Sequence, residues 1–140
     1  MNQHIEHASV QKEACRALNR LTYHNNENRI KIPREGGIQA IIDTMKQNIS
    51  HADVQEQAYQ ALYNLACNDE NKITIASAGG IHVIIRTMKK HISHAGIQKY
   101  ACKTLRNLSY NNDENRITIS DEGGIQAIID TMKKHMSHID

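Results

Sequence analysis

EGGIQAIIDTMK stands at residues 35–46 and again, unchanged, at 122–133. Between the two copies, residues 79–89 read GGIHVIIRTMK. Identity of that length within 140 residues is internal repetition, and in a repetitive chain the repeat decides the fold. The glycine pairs begin at Gly36, Gly79 and Gly123, 43 and 44 residues apart, while Leu18, Leu62 and Leu105 are 44 and 43 apart. A period near 43 lies in the range of helical solenoids.

Each period holds three apolar patterns. The quoted stretch carries one: Ile38, Ile41, Ile42, Met45 and Ile49 follow the i, i+3, i+4, i+7, i+11 spacing of a buried helix stripe. Ile81, Ile84, Ile85, Met88 and Ile92 repeat it, as do Ile125, Ile128, Ile129, Met132 and Met136. A shorter pattern precedes each glycine pair, at Ile30/Ile32, Ile73/Ile75 and Ile117/Ile119. It reads as a short helix stopped by a glycine in a left-handed turn. Pro33 stands where the other copies have Ala76 and Ser120. It lacks a backbone donor and is expected to kink or shorten its helix.

The third pattern runs Val10, Ala14, Ala17, Leu18, Leu21, then Val54, Ala58, Ala61, Leu62, Leu65, then Ile97, Ala101, Thr104, Leu105, Leu108. Ser50 and Ser93 are placed to cap it. No single unit buries its own stripes, whereas stacked units bury a continuous core. Alternation of period two occurs only as Ile-x-Ile, too short for a sheet.

The period, the Glu-Gly-Gly-Ile that opens the second helix and the Ala-Leu-x-Asn-Leu that closes the third resemble the armadillo-repeat family over essentially the whole sequence. The resemblance implies an all-α, right-handed α-solenoid acting as a non-catalytic interaction module. It implies a single domain over 1–140, with units at about 4–47, 48–90 and 91–134 and a partial loop at 135–140. His4-Ile5-Glu6-His7 aligns with His91-Ile92-Ser93-His94 and with His135-Met136-Ser137-His138. The helices therefore run in the order third, first, second. Such phasing predicts head-to-tail association, the helix at 8–23 of one chain docking on 113–136 of another. A monomer with frayed ends is the plain alternative, and a fragment of a longer or engineered array is equally consistent.

In the armadillo family the third helices line a concave groove, where an asparagine hydrogen-bonds the backbone of an extended peptide. A carboxamide suits that work, since it both donates and accepts. The resemblance makes Asn64 and Asn107 the candidate clamps, while Arg20 takes that place in the first copy, beside a displaced Asn19. Helical neighbours put Gln60, Lys103, Arg16 and Lys99 on the same face. Family members of the importin-α type often carry tryptophan four residues before the asparagine; here Arg16, Gln60 and Lys103 occupy those positions. The mildly basic face points instead to an acidic, extended partner of the kind β-catenin-type repeats receive. Ordinary solvated helix faces, with asparagines that only order the stack, are the competing reading.

Composition narrows the other classes. The chain is 39% hydrophobic without Phe or Trp, so its core is aliphatic and rich in isoleucine. Its net charge of +2 is too mild to imply nucleic acid. RNA remains the main rival ligand, through Arg16, Arg20, Lys99 and Lys103 on phosphates and Tyr59, Tyr63 and Tyr100 on bases. Cys15, Cys67 and Cys102 show no paired spacing, which favours a reducing compartment, cytoplasm or nucleus, and inert thiols. The pairs His4/His7, His91/His94 and His135/His138 lack the carboxylate or thiolate that would complete a metal site. No phosphate-cradling glycine loop, catalytic triad, cofactor motif, signal peptide or membrane-length apolar run occurs.

Overall fold

The computed structural model describes residues 2–136, with side chains described from His7 onward. Among the described residues the chain forms nine helices and no strand. They are α1 Asn2–Thr22, α2 Asn26–Arg34, α3 Gly37–Gln47, α4 Ala52–Leu65, α5 Asp69–Ser77, α6 Gly80–Lys90, α7 Ala95–Ser109, α8 Asp113–Asp121 and α9 Gly124–Lys134. Short, middle and long helices recur in register, as the repeat requires. α1 starts at Asn2 rather than near residue 8, so the expected loop around His4–His7 is helix.

The short helices α2, α5 and α8 begin identically. Asn25, Asn68 and Asn112 are the N-caps, and their side chains accept from the backbone N–H of Asn28, Asn71 and Asn115 at 2.9, 3.1 and 2.8 Å. Each of those second asparagines then donates through Nδ2 to the end of the preceding long helix, at Leu21 O, Leu65 O and Leu108 O. Asn71 and Asn115 also reach one repeat back, to Arg29 O and Lys72 O, at 2.9 and 3.3 Å. This ladder explains why Pro33 does no damage. Pro33 cannot donate to Arg29 O, the i−4 carbonyl, but Asn71 fills it from the next repeat. Contrary to expectation, α2 is not shortened: like α5 and α8 it has 9 residues.

The two glycines of each pair do different work. Gly36, Gly79 and Gly123 hold φ of 83°, 84° and 88°, the left-handed turn that L-residues avoid. The second glycine, the first residue of α3, α6 or α9, lies against the preceding short helix; a Cβ on Gly80 would sit 2.7 Å from Ile75 O. The alternation of 43 and 44 residues has a local cause. His24 and Asn111, at φ 48° and 56°, are extra left-handed residues in the first and third long-to-short turns. The middle turn, at Cys67-Asn68, has none.

The long helices are capped by His51 and His94, not by Ser50 and Ser93. The serines lie one residue too early, and His94 Nδ1 itself accepts from Ile97 N. A buried polar pattern then locks the stack. Gln55 Nε2 donates to Met45 O and Asn48 O, and Gln98 Nε2 donates to Met88 O and His91 O.

Identical sequence meets two environments. In α3, Ile38, Ile42 and Met45 are 1%, 0% and 0% exposed; in α9 their counterparts Ile125, Ile129 and Met132 are 57%, 39% and 66% exposed. α3 packs under α4, α5 and α6, whereas no described helix follows α9. The expected stripe of α1 is open at Val10 and Leu21, 65% and 52% exposed, while Leu18 packs partly buried on the core and α1 turns Ala8, Cys15 and Thr22 inward. Of the isoleucines in the short helices only Ile75 and Ile119 are buried; Ile30, Ile73 and Ile117 face outward.

Candidate functional site

The third pattern places Asn19 and Arg20 on α1, Gln60, Tyr63 and Asn64 on α4, and Tyr100 and Lys103 on α7, so that all meet across the stacked long helices. There they line a cleft of about 750 Å³, completed by Tyr23, His24, Arg29 and Cys67. Arg20, Arg29 and Lys103 contribute three cations, and no carboxylate lines the cleft among the described residues.

Its floor is a chain of carboxamides. Asn64 Nδ2 donates to Asn19 Oδ1 at 2.9 Å, to Asn19 O at 3.1 Å and to Thr22 Oγ1 at 3.2 Å. Asn19 Nδ2 in turn donates to Gln60 Oε1 at 2.9 Å. Asn64 is only 5% exposed, so it is not the solvent-facing side chain expected from sequence. Its amide hydrogens are spent inside the molecule, tying α1 to α4. The donor group that this chain leaves over is Gln60 Nε2, which has no acceptor among the described residues. The displaced asparagine of the first copy, Asn19, is therefore the link that makes the network.

The rim is aromatic and cationic. Lys103 Nζ lies 5.3 Å from the Tyr63 ring centroid and 5.5 Å from that of Tyr100. The two rings meet edge to face at 6.4 Å. This arrangement fixes a long flexible side chain without neutralising it. Tyr63 and Tyr100 thus supply the aromatic walls, beside Gln60 and Lys103 rather than at those positions. Lys99 Nζ lies 5.8 Å from the Tyr100 ring centroid.

The remaining predicted residues are less central. Asn107 is half-buried, and its Nδ2 donates to Tyr63 O at 3.4 Å beside Cys67 Sγ at 3.8 Å. Arg16 is exposed, 3.7 Å from Glu13, and neither it nor Lys99 lines the cleft. Sequence reasoning missed Arg29, whose Nε donates to Thr22 O and which enters the cleft from α2. Its signal was faint, a cation after each invariant asparagine in NRI, NKI and NRI.

Several alternatives lose their residues. Tyr59 is fully buried, bonded to Ile84 O at 2.8 Å and to the Thr87 hydroxyl, so it cannot stack on a base. Burial pushes the Cys15 thiol up to about 11 and also raises Cys102. His91 Nε2 contacts Ile49 O at 2.6 Å and His94 caps α7, so both rings of that pair have structural partners. The side chain of His4 and all of His138 lie outside the described residues. Among the described residues no three His, Cys, Asp or Glu converge as a metal site, and no helix is long and apolar enough to cross a membrane.

A family profile described as LRRK2 ARM repeat matches residues 1–140. The chain is 38% identical over 77 residues to Protein aardvark of Dictyostelium discoideum, covering 49% of this chain and 10% of that relative. It therefore spans about a tenth of the curated relative it matches. Two crystal structures of engineered proteins from the Northeast Structural Genomics Consortium superpose well. One has a TM-score of 0.82 at 27% identity, covering 93% of this chain and 51% of the other. The second has a TM-score of 0.80 at 29% identity, covering 91% and 30%.

Proposed function

The chain belongs to the LRRK2 ARM repeat family, and from that premise we propose that it binds an extended, acidic segment of another protein in the cleft across α1, α4 and α7. Armadillo repeats generally mediate protein interactions and are generally non-catalytic. The observation that carries the finer reading is the cleft's charge: three cations and no carboxylate among the described residues, on a chain of net charge only +2. Gln60 Nε2 serves as the clamp on a peptide carbonyl, and Asn64 orients Gln60 through Asn19. Lys103, held between Tyr63 and Tyr100, and Arg20 receive carboxylates. Asn107, Lys99 and Arg16 extend the surface beyond the cleft.

The test is a display screen of ten-residue peptides against the protein and its Gln60→Ala and Lys103→Glu variants. Acidic sequences should dominate, and Lys103→Glu should weaken them about tenfold, ~1.4 kcal/mol. Enrichment of basic peptides, or affinity unchanged in both variants, would remove this assignment.

Self-association is a second element of the reading, supported by a separate observation, the exposed Val10, Leu21, Ile125 and Met132. Apolar surface so grouped marks a contact. The three free thiols support placing the protein in the cytoplasm or nucleus.

A further inference from the structure

Resting on that self-association, the structure specifies its mode: we infer that α1 of one copy docks on α8 and α9 of the next as the long helix of their repeat, locked by Gln11. The template for this contact lies inside the molecule, twice. α4 covers α3, and α7 covers α6, with Ile38, Ile42 and Met45 or their counterparts Ile81, Ile85 and Met88 buried beneath. α9 presents the same residues as α3, uncovered. α1 presents Val10, Ala14 and Leu21 at the positions held by Val54, Ala58 and Leu65 in α4, which are at most 1% exposed there. Each open face therefore carries, residue for residue, what the internal interface uses.

Polar groups select a second copy over any other apolar partner. Gln55 and Gln98 hold the internal interfaces by donating to two carbonyls each, Met45 and Asn48 or Met88 and His91. Gln11 is their counterpart. Its Oε1 already accepts from Thr44 Oγ1, as Gln98 Oε1 does from Thr131 Oγ1. Its Nε2 has no acceptor among the described residues. The carbonyls in register with it are those of Met132 and His135 on the next copy. The two faces differ from each other, so the contact is heterologous and adds copies head to tail, as a filament or a ring, rather than closing as a symmetric dimer.

Leu21→Glu and Met132→Glu test the mode, since both side chains are exposed and neither supports the monomer. Light scattering of the wild type should show mass rising with concentration beyond a dimer. Each variant alone should be monomeric with unchanged circular dichroism. Mixed in equal amounts they should form a one-to-one dimer that grows no further, because one intact face of each kind remains. Gln11→Ala should weaken assembly roughly ten- to thirtyfold, from two lost hydrogen bonds. A wild type that stays monomeric to millimolar concentration overturns both self-association and this mode. Single variants that still dimerise, or a mixture that does not, overturn the mode alone.

Discussion

At the scale of single residues, the middle repeat departs from its neighbours at one buried position. Cys15 and Cys102 correspond to Tyr59. In the outer repeats Thr44 and Thr131 donate to Gln11 Oε1 and Gln98 Oε1. Tyr59 instead engages the Thr87 hydroxyl, and Gln55 Oε1 is left buried without a partner. Tyr59→Phe should therefore cost under ~1 kcal/mol in urea unfolding, because the one hydroxyl hydrogen of Thr87 is then free to turn from Ile84 O to Gln55 Oε1, the bond that Thr44 and Thr131 make in the other repeats. A loss above ~3 kcal/mol would mean that the tyrosine hydroxyl is an essential tie. The thiols give a second expectation. Iodoacetamide at pH 8 should modify exposed Cys67 long before Cys15, which is buried with its thiol pushed up to about 11. Equal rates for the two would contradict the burial of α1 against α4. The raised value also has a sign: Cys15 favours the folded state fully below its ordinary value of 9.0, and that contribution fades as pH rises from there towards 11.

At the scale of elements, EGGIQAIIDTMK supplies its own control. Ile42 and Ile129 occupy the same place in the two copies, 0% and 39% exposed. Ile42→Ala should cost about 2–5 kcal/mol through transfer and cavity terms, and Ile129→Ala under ~1 kcal/mol in dilute protein. Equal costs would mean that something covers α9. The contrast also marks how far the sequence was legible. Periodicity of 3.6 exposed every stripe, and the repeat exposed the order of helices. Whether a stripe is covered depends on its neighbours, so the exposure of Ile125 and Met132 could not be read within the segment itself. The polar latches were invisible for another reason. Gln55, Gln98, Asn71 and Asn115 sit among charged residues and carry no hydrophobic signature. The Ala-Leu-x-Asn-Leu pattern marks Asn64 but not the direction of its side chain, which is 5% exposed. Helical geometry sets an angle around α4, and only the approach of Asn19 from α1 shows that this angle points into the stack.

At the scale of the molecule, stacked repeats create a cleft that no single repeat contains, since its lining residues come from α1, α2, α4 and α7 and the turns after α1 and α4. For the proposed binding of an acidic segment, the cationic lining predicts salt dependence. Affinity for an acidic decapeptide should fall steeply as ionic strength rises to about 1 M, where charges are screened within ~3 Å. The central claim is that this cleft is the binding surface, and its most direct test is an NMR titration of ¹⁵N-labelled protein with an alternating Asp-Ala decapeptide. We expect shifts concentrated at Arg20, Gln60, Tyr63, Tyr100 and Lys103, saturating with one peptide per chain and lost in Lys103→Glu. Shifts confined to the outward short helices around Ile30, Ile73 and Ile117, or none at millimolar peptide, would contradict it.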